Sequence, residues 1–446
     1  MRTTSDEPGP ASQPPASSDG ASGDAARASI GRVAVAGFIG TAIEFFDFYA
    51  YGIAAGLVFD TAFFPNLDPV NGRIAAFSTF AVAFLARPAG AALFGHWGDR
   101  RGRKSMLIAS LLTMGLATAA VGLLPEYSTI GIAAPILLVC LRFLQGVGLG
   151  GEWGGAALVS VELAPAGRRG LYTMFPQLGP PIGFLAATGV FLVLGLRLDD
   201  AQFAAWGWRV PFLASAILVL VGLYVRVGLP EPAVFAASAP VRSPLGDLVR
   251  RQPKELLLGA GSMIVQYALF YTATTYCLSY AIKVLAVPKD RMLGLSMIAV
   301  LALAVGVVAS AMLSDRLGRR ALVLGGCACG ILWGPAMFLL LDTRNPLLMG
   351  VALGGALLIM GACFGPMAAF LPELFDTRHR YSGAALAYSL GGVLGGAVPP
   401  LLATALQARF GSLAVGGYLS LMALISLLCT YTLAETRKRD LGVQVS

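Results

Sequence analysis

Twelve long apolar runs divide this sequence and leave it few ways to fold. Each run contains about 20 predominantly apolar residues, the length that a helix needs to cross the hydrocarbon core of a bilayer. Charged residues make up 13% of the chain, against about 25% in soluble domains. The sequence therefore predicts an all-α membrane protein with twelve transmembrane helices. The predicted spans are 31–59, 74–97, 105–124, 131–157, 170–195, 208–228, 255–286, 292–313, 321–341, 346–370, 382–407 and 413–434.

The basic residues predict how these helices are oriented. A net charge of +8 is compatible with nucleic-acid binding, but here Lys and Arg are concentrated in alternate loops. With a cytoplasmic N-terminus, 22 of the 32 lie on the cytoplasmic side, eight on the outer side and two inside helices. The positive-inside rule then predicts that both termini are cytoplasmic. We expect a multi-pass protein of a bacterial inner (plasma) membrane, without a nucleic-acid partner. Residues 1–28, rich in Ser, Pro, Gly and Ala, are expected to be a disordered tail, and residues 437–446 a second tail.

Two sequence motifs each occur twice, in the same order. The first, Gly95-His-Trp-Gly-Asp-Arg-Arg-Gly-Arg-Lys104, follows the second span, and Asp315-Arg-Leu-Gly-Arg-Arg320 follows the eighth. The second occurs as Glu162-Leu-Ala-Pro-Ala-Gly-Arg-Arg169 and as Glu373-Leu-Phe-Asp-Thr-Arg-His-Arg380. This repetition predicts two homologous six-helix halves, with the substrate between them near the membrane midplane. The N-terminal half is predicted at 29–228, the linker at 229–254 and the C-terminal half at 255–436.

These motifs resemble those of the major facilitator superfamily over nearly the whole chain. Gly95–Lys104 matches the superfamily's G-x-x-x-D-R-x-G-R-K loop signature. Three stretches within helices, Gly40–Tyr49, Phe84–Gly90 and Leu144–Gly154, resemble its metabolite:proton symporter branch. That branch includes carriers of shikimate, α-ketoglutarate, citrate and proline or betaine. The resemblance implies the twelve-helix fold in two halves, and a carrier that works by alternating access.

Ionisable side chains within the predicted spans are candidates for proton coupling, because a charge inside the membrane is costly. Glu44 and Asp47 lie three residues apart on the first helix and share a face. Asp47 and Arg142, on the fourth helix, each lie roughly 18 Å below the outer surface. The matching depth allows an ion pair, and the resemblance implies one, since proton-coupled relatives have an acid in the first helix facing an arginine in the fourth. We predict that Asp47, Glu44 and Arg142 couple protons to transport; a purely structural ion pair is the alternative.

Polar side chains at a similar depth are candidates for substrate binding. Arg87 lies roughly 15 Å from the cytoplasmic end of the second helix, and its guanidinium matches carboxylate geometry; pairing with Glu44 is the alternative. Gln177 is a candidate because the resemblance places it at a substrate-contacting position of the related sugar-porter pattern. Hydrogen bonding between helices is the alternative for such groups. The other predicted substrate-binding residues are Tyr51, Gln145, Gln266, Tyr267, Tyr271 and Tyr388.

The repeated loop motifs are predicted to form a gate on the cytoplasmic side. Asp99 is expected to bind the exposed N–H groups at a neighbouring helix N-terminus, and Arg100 and Arg103 to pair with acids such as Glu162. Glycines in the motif allow tight turns and close approach. Such contacts hold the halves together and break as the halves rock; simple membrane-surface charge is the alternative. The predicted gating residues are Gly95, Asp99, Arg100, Gly102, Arg103, Glu162, Arg169, Asp315, Arg316, Gly318, Arg319, Glu373 and Arg380.

With the resemblance, these features predict a secondary active transporter and not an enzyme. We expect a proton-coupled symporter that imports a small polar metabolite, an organic acid such as a shikimate- or dicarboxylate-like anion. An efflux antiporter of the same fold is the alternative. The six cysteines have no metal-ligand spacing, so we expect no metal and no cofactor, the proton gradient being the energy source. The expected partners are the lipid bilayer, protons and the substrate, and the chain is expected to be monomeric.

Overall fold

The predicted twelve helices are present in the structure, a computed structural model that describes residues 19–101, 103–150, 157–158, 160–161, 164, 167–227, 244–376 and 379–439. Among these residues, nine helices are long and apolar enough to cross a membrane, two shorter apolar helices match the third and fourth spans, and the first span also coincides with a helix. The helices are α1 Asp19–Leu57, α2 Pro69–Arg101, α3 Arg103–Leu123, α4 Ala133–Leu149, α5 Arg169–Arg197, α6 Val210–Val227, α7 Pro253–Lys283, α8 Lys289–Leu317, α9 Arg319–Leu341, α10 Pro346–Leu374, α11 Arg380–Phe410 and α12 Ser412–Thr432.

Helix α1 begins earlier than the sequence predicts. It starts at Asp19 and so extends into the segment expected to be a tail. Four of its first ten residues are alanine, the residue with the highest intrinsic helix propensity. Residues 19–28 of the predicted tail are therefore part of the first helix, while residues 1–18 lie outside the described residues.

Four of the helices are interrupted near their centres. Helix α5 is divided at Leu178, directly before Gly179-Pro180-Pro181, because proline has no N–H to donate and its ring disturbs the preceding turn. Helix α10 is divided in the same way at Gly365-Pro366. Helices α7 and α11 each contain a π-helical turn, at Thr272–Tyr276 and Val393–Ala397. Such turns are frequent at functional sites, and both of these follow tyrosines that line the centre of the molecule.

The first six and the last six helices pack as two sets. In the first, α1 packs on α5, α2 on α4 and α3 on α6; in the second, α8 packs on α10 and α9 on α12. The α2–α4 contact is close because Gly90 and Gly146 have no Cβ, which would collide with the backbones of Val147 and Ala83. This close approach brings the two arginines buried within the membrane, Arg87 on α2 and Arg142 on α4, onto neighbouring helices.

The two sets meet along pairs of helices related by the internal repeat. Helix α2 packs on α11 and α5 on α8, while α1 packs on the C-terminal part of α7. The contacts of α5 with α8 and of α2 with α11 are the most extensive, and the apolar window of α7 is 89% buried within the protein. The centre of the molecule is therefore lined by α1, α2, α4, α5, α7 and α11, the helices that carry the predicted proton and substrate residues.

A short helix from the linker is attached to the second set. This linker helix, Pro244–Arg251, places Asp247 within 3.1 Å of His379, next to the start of α11, and within 2.6 Å of Arg251. These two partners, Arg251 first, hold the pKa of Asp247 below its usual range. The end of the linker is thus a structured element and not an extended loop.

Candidate functional site

Asp47 and Arg142 line one narrow cavity within the first set of helices. The cavity is too narrow to admit a water molecule, and it is lined by Asp47, Phe48, Met114, Thr118, Arg142, Gln145 and Leu149. Arg142 Nη1 donates a hydrogen bond to Gln145 Oε1 at 2.9 Å, and Gln145 Nε2 donates to Thr118 Oγ1 at 2.7 Å. Gln145, a predicted substrate-binding residue, therefore orients the arginine.

Asp47 does not form the direct ion pair that its depth allows. Within the described part of the chain, neither carboxylate oxygen of Asp47 has a hydrogen-bond partner, although the hydroxyls of Thr118 and Ser215 are its neighbours. Arg142 Nε and Nη2 are likewise without partners among these residues. The acid is 1% exposed and the arginine 0%. A buried carboxylate and a buried guanidinium thus share a cavity while both keep hydrogen-bonding capacity unused.

Aromatic rings hold the Arg142 guanidinium in this position. Its central carbon lies 4.0 Å from the ring centroid of Tyr51, 4.3 Å from that of Phe48 and 4.9 Å from that of Phe80. Each such cation–π contact contributes about 0.5–2 kcal/mol, more when water is excluded. Tyr51 donates its hydroxyl to Thr79 Oγ1 at 2.7 Å, so this predicted substrate-binding residue serves in the structure as a support for Arg142.

Arg87 is the second buried arginine, and it lies where the two sets of helices meet. It is 2% exposed, and none of its guanidinium nitrogens has a hydrogen-bond partner among the described residues. Its central carbon lies 4.7 Å from the centroid of Phe48 and 4.9 Å from that of Phe84. Unpaired buried donors on a charged group are costly. Arg87 therefore keeps three buried donor nitrogens without an acceptor among the described residues.

Three tyrosines of the second set surround Arg87 from the other side. Tyr267, Tyr271 and Tyr388 are within electrostatic range of its guanidinium, as is Glu44 from α1. The rings of Tyr267 and Tyr388 are 5.3 Å apart, and Phe84 lies 5.2 Å from Tyr271. These aromatic contacts join α2 to α7 and α11.

A second cavity lies beside these tyrosines, between the two sets. Its free volume is about 20 Å³, room for about one water molecule, so this arrangement of the two sets is closed around it. Most of its lining is apolar or aromatic. Two polar atoms of that lining, Gln266 Oε1 and the hydroxyl of Tyr267, have no hydrogen-bond partner among the described residues. The lining residues are Phe45, Tyr49, Pro180, Met263, Gln266, Tyr267, Phe270, Tyr271, Met360, Phe364 and Tyr388.

Gln177 makes a helix–helix contact. Its Nε2 donates a hydrogen bond to the carbonyl oxygen of Phe364 at 2.9 Å, which connects α5 to α10 across the two sets. This is the alternative role that the sequence left open for Gln177; substrate contact stays a prediction.

The predicted gating residue Asp315 binds a helix N-terminus. We call the surface formed by Arg168–Leu171, Asp315–Arg320, Glu373–Asp376, His379–Arg380 and Glu435–Arg439 the basic face; it is the side predicted to be cytoplasmic. There the Asp315 carboxylate accepts hydrogen bonds from the backbone N–H groups of Gly170, at 2.9 Å, and Leu171, at 3.1 Å, at the start of α5. The positive end of the helix dipole adds to these two bonds, so one acid of the second set caps a helix of the first.

Glu373 is the centre of a buried charge cluster on the same face. It is 0% exposed and lies 3.3 Å from Arg319 Nε and 3.7 Å from Arg169 Nη1. The Thr436 hydroxyl donates to it at 2.6 Å. Arg169 Nη1 also donates to the carbonyl oxygen of Arg439 at 3.0 Å. Arg169, from the first set, is therefore held by acceptors of the second set.

Of the remaining predicted gating residues, three lie in the described part of the basic face and the others do not. Gly318 adopts φ 103°, a conformation that favours glycine, and the Glu435 carboxylate next to it caps α9 by accepting from Arg319 N at 3.0 Å. The Arg316 carbonyl accepts a hydrogen bond from Arg437. Arg380 is buried at the start of α11. Glu162 and Gly102 lie outside the described residues, as do the side chains of Asp99, Arg100 and Arg103 and the surroundings of Gly95.

Ion pairs that the sequence analysis did not identify join the two sets at the other end. Lys283, the last residue of α7, pairs with Asp60, just beyond α1, and both side chains are largely buried. Lys289 at the start of α8 lies 3.0 Å from Asp200. We call this end, defined by Asp60, Asp200, Lys283 and Lys289, the opposite face. The sequence signal was charged residues at helix ends, but pairing depends on the arrangement of the two sets.

Comparison with known proteins agrees with this architecture. The sequence profile of the Major Facilitator Superfamily matches residues 37–400. The inner membrane metabolite transport protein YhjE of Escherichia coli (strain K12) is 48% identical over 422 residues, covering 93% of this chain and 96% of that protein. The shikimate transporter of the same organism is 37% identical over 419 residues, covering 91% and 95%.

Solved structures agree as well. The xylose transporter XylE from E. coli, in a partially occluded inward open conformation, superimposes with a TM-score of 0.73 at 18% identity, covering 93% of this chain and 100% of that one. At this identity the likeness concerns the fold. From the profile match and the two relatives, the chain belongs to the Major Facilitator Superfamily and is a multi-pass membrane transport protein, not an enzyme.

Proposed function

We propose that this transporter imports a small organic anion together with protons, with Arg87 binding the anion and Asp47 carrying a proton. The observation that supports the proposal most directly is Arg87 itself. It is buried, and all its guanidinium nitrogens are without hydrogen-bond partners among the described residues. A planar guanidinium binds a carboxylate through two parallel hydrogen bonds. A carboxylate at Arg87 would satisfy donors that are otherwise costly to bury.

The surroundings of Arg87 favour a ligand that is partly apolar. Aromatic rings flank the guanidinium, and apolar and aromatic side chains line most of the neighbouring cavity, where Gln266 Oε1 and the Tyr267 hydroxyl have no hydrogen-bond partner among the described residues. A relative 37% identical is a shikimate transporter, and shikimate combines a ring with a carboxylate. This supports an organic acid with a compact carbon skeleton as the substrate.

Asp47 is the proposed proton carrier because its charge is only partly compensated. Its carboxylate is buried, and Arg142 shares its cavity without a direct ion pair. In such surroundings a carboxylate binds a proton when the positive charge nearby is reduced, and releases it when that charge is restored. Glu44, one turn earlier on α1 and within range of Arg87, is a second proposed site.

The proposed orientation puts the basic face in the cytoplasm. Arg and Lys residues are concentrated there, as the positive-inside rule requires. The halves are joined at this face by Asp315 and Arg169, and at the opposite face by Lys283 and Asp60. Alternating access then requires each group of contacts to break in turn while the other holds.

Transport by purified protein in proteoliposomes tests this proposal. A panel of shikimate, α-ketoglutarate, citrate, benzoate and betaine is offered with a proton gradient directed inward, and then with the gradient reversed. We expect accumulation of one or more acids with the inward gradient. Asp47→Asn is expected to exchange substrate across the membrane without accumulating it. Uptake driven by the reversed gradient would indicate an antiporter, and uphill uptake unaffected by Asp47→Asn would refute the assignment of the proton.

A further inference from the structure

Phe48 contacts both buried arginines of the central region. Its ring centroid lies 4.7 Å from the central guanidinium carbon of Arg87 and 4.3 Å from that of Arg142. Among the described residues, Phe84 lies near Arg87 alone, and Phe80 and Tyr51 near Arg142 alone. The side chain of Phe48 is 3% exposed and also lines the cavity of Asp47. One ring thus separates the proposed anion site from the proposed proton site.

We propose that Phe48 is a positioning residue that transmits the charge state of Arg87 to Arg142 and Asp47, and so links substrate binding to proton binding. This inference rests on the proposed function. Phe48 was not a candidate from the sequence, because a phenylalanine in an apolar run is indistinguishable there from packing.

The electrostatic argument begins with two like charges near one ring. Because both guanidinium carbons lie within 5 Å of the same centroid, they are separated by no more than the sum of the two distances. In a buried region with a low effective dielectric constant, charges at such a separation interact strongly. An anion bound at Arg87 neutralises one of the two positive charges that favour ionised Asp47. Proton binding at Asp47 then becomes more favourable.

The groups around Asp47 do not compensate for the positive charge that is lost when an anion neutralises Arg87. Helix α3 presents Thr118, α4 presents Arg142 and Gln145, and α6 presents Ser215, of which only the arginine is charged. On α1 itself the nearest ionisable groups in sequence are the Tyr49 hydroxyl and the Glu44 carboxyl, and neither adds a positive charge. Coupling of this kind is reciprocal, so a proton on Asp47 equally strengthens anion binding at Arg87. That reciprocity is what a symporter requires.

The ring supplies two properties that an aliphatic side chain does not. Its electron-rich face attracts both guanidinium groups, which fixes them relative to each other, and its bulk keeps water out from between them. Phe48 also contacts Tyr271 of the second set, with ring centroids 5.9 Å apart. Its position therefore depends on the same helices that move when the halves rock.

The test compares Phe48→Leu with three matched variants in proteoliposomes. The probe is radiolabelled shikimate, or whichever acid of the panel the wild type carries. Counterflow exchange at symmetric pH measures binding and alternating access, and steady-state accumulation under an inward proton gradient measures coupling. For Phe48→Leu we expect the exchange rate to change, as in the controls, and the ratio of accumulation to exchange to fall about tenfold, within the usual range of coupling between two sites. Phe48→Tyr, which keeps the ring, is expected to retain both activities.

Phe80→Leu and Phe84→Leu are the controls for a merely structural effect. Each removes a ring from one arginine only, so each is expected to alter the exchange rate while the ratio of accumulation to exchange stays near the wild-type value. If Phe48→Leu does not insert or fold, as judged by size-exclusion profile, Phe48→Met takes its place because methionine fills irregular space without an aromatic face.

The outcomes separate the inference from the proposed function. If the wild type accumulates an acid and Phe48→Leu accumulates it equally well per unit of exchange, the inference is wrong while the proposed function stands. The inference is also wrong if Phe80→Leu and Phe84→Leu lose accumulation to the same extent. If the wild type shows no proton-driven uptake of any acid, the proposed function fails and the inference falls with it.

Discussion

Lys283 at the end of α7 forms an ion pair with Asp60 just beyond α1, and this pair joins the two halves at the opposite face. The lysine is 19% exposed and the acid 9%, so water screens the pair little. On the basic face the halves are joined by a different contact, in which Asp315 accepts hydrogen bonds from the start of α5. The described structure is therefore held together at both ends, with the central cavities enclosed between them.

The first prediction is that Lys283→Ala favours opening at the opposite face. The variant leaves Asp60 buried without its cation, which destabilises the closed arrangement. We expect the thiol of Cys277, buried on α7, to react at least about fivefold faster with a membrane-impermeant reagent added from that side, a change that ~1 kcal/mol produces. Labelling is measured by mass spectrometry of the peptide that contains Cys277.

Lys289→Ala is the matched control for this experiment. Its partner Asp200 is 100% exposed, and exposed pairs contribute about 0–1 kcal/mol. Labelling of Cys277 in this control should stay at the wild-type rate. An equal increase in both variants would mean that a general loss of positive charge, and not the buried pair, controls access.

The second prediction concerns the cap that Asp315 makes on α5. Asp315→Asn keeps the shape of the side chain but removes its negative charge from the positive end of the helix, an interaction that contributes about 0.3–2 kcal/mol. We expect the basic face to open more readily, so that substrate exchange becomes limited by return to the outward-facing state and slows several-fold. Asp376→Asn is the control, because Asp376 lies on the same face but is 65% exposed in its pair with Arg439. Equal slowing in both variants would contradict the proposed role of the cap.

The sequence predicted the fold more completely than the site, for a physical reason. Membrane spans can be predicted from composition, because a segment of about 20 apolar residues in lipid hydrogen-bonds its own backbone N–H and C=O groups by forming a helix. The repeat motifs likewise identified Asp315, Arg319 and Glu373 as gating candidates. In the structure Asp315 contacts the first set at Gly170, and Arg319 pairs with Glu373 on the same face. These features are local in the sequence, or recur in it.

The contacts that the sequence did not predict all depend on tertiary arrangement. The pairing of Asp60 with Lys283 brings together residues 223 positions apart, and the capping of α9 by Glu435 brings together residues 116 apart. The depth of Asp47 and Arg142 was estimated from the rise per residue, but helix depth does not fix side-chain direction. Arg142 turns toward Tyr51 and Gln145, which is why it shares a cavity with Asp47 without pairing with it directly.

The third prediction is that the buried cluster around Glu373 determines stability. Arg319→Met leaves Glu373 with Arg169 at 3.7 Å as its nearest cation among the described residues, and removing one partner of a buried pair costs about 3–5 kcal/mol. Thr436→Val removes one hydrogen bond to the same acid and is expected to cost about 1–3 kcal/mol. We expect the thermal midpoint in detergent, followed by intrinsic fluorescence, to fall in both variants and to fall further in Arg319→Met.

The double variant Arg319→Met/Glu373→Leu distinguishes charge from packing in this cluster. Replacing both charged groups with apolar ones removes the unpaired buried acid, so the midpoint should recover part of what Arg319→Met loses. A double variant less stable than Arg319→Met would mean that Glu373 is needed chiefly for its other contacts, with Thr436 and Arg169.

The fourth prediction is that Arg87→Lys weakens anion binding while the chain still folds. Lysine keeps the positive charge but lacks the planar fork that binds a carboxylate through two hydrogen bonds. We expect KM for the transported acid to rise at least about tenfold, because tenfold corresponds to ~1.4 kcal/mol and one hydrogen bond to a charged group contributes about 1.5–3 kcal/mol. The maximal rate is expected to change less. Arg209→Lys is the control, since Arg209 binds the carbonyl of Gly122 and the carboxylate of Glu126, at 3.3 and 3.2 Å, away from the central cavities. A KM unchanged in Arg87→Lys would mean that the unpaired guanidinium serves packing against Phe48 and Phe84, and that the anion binds elsewhere.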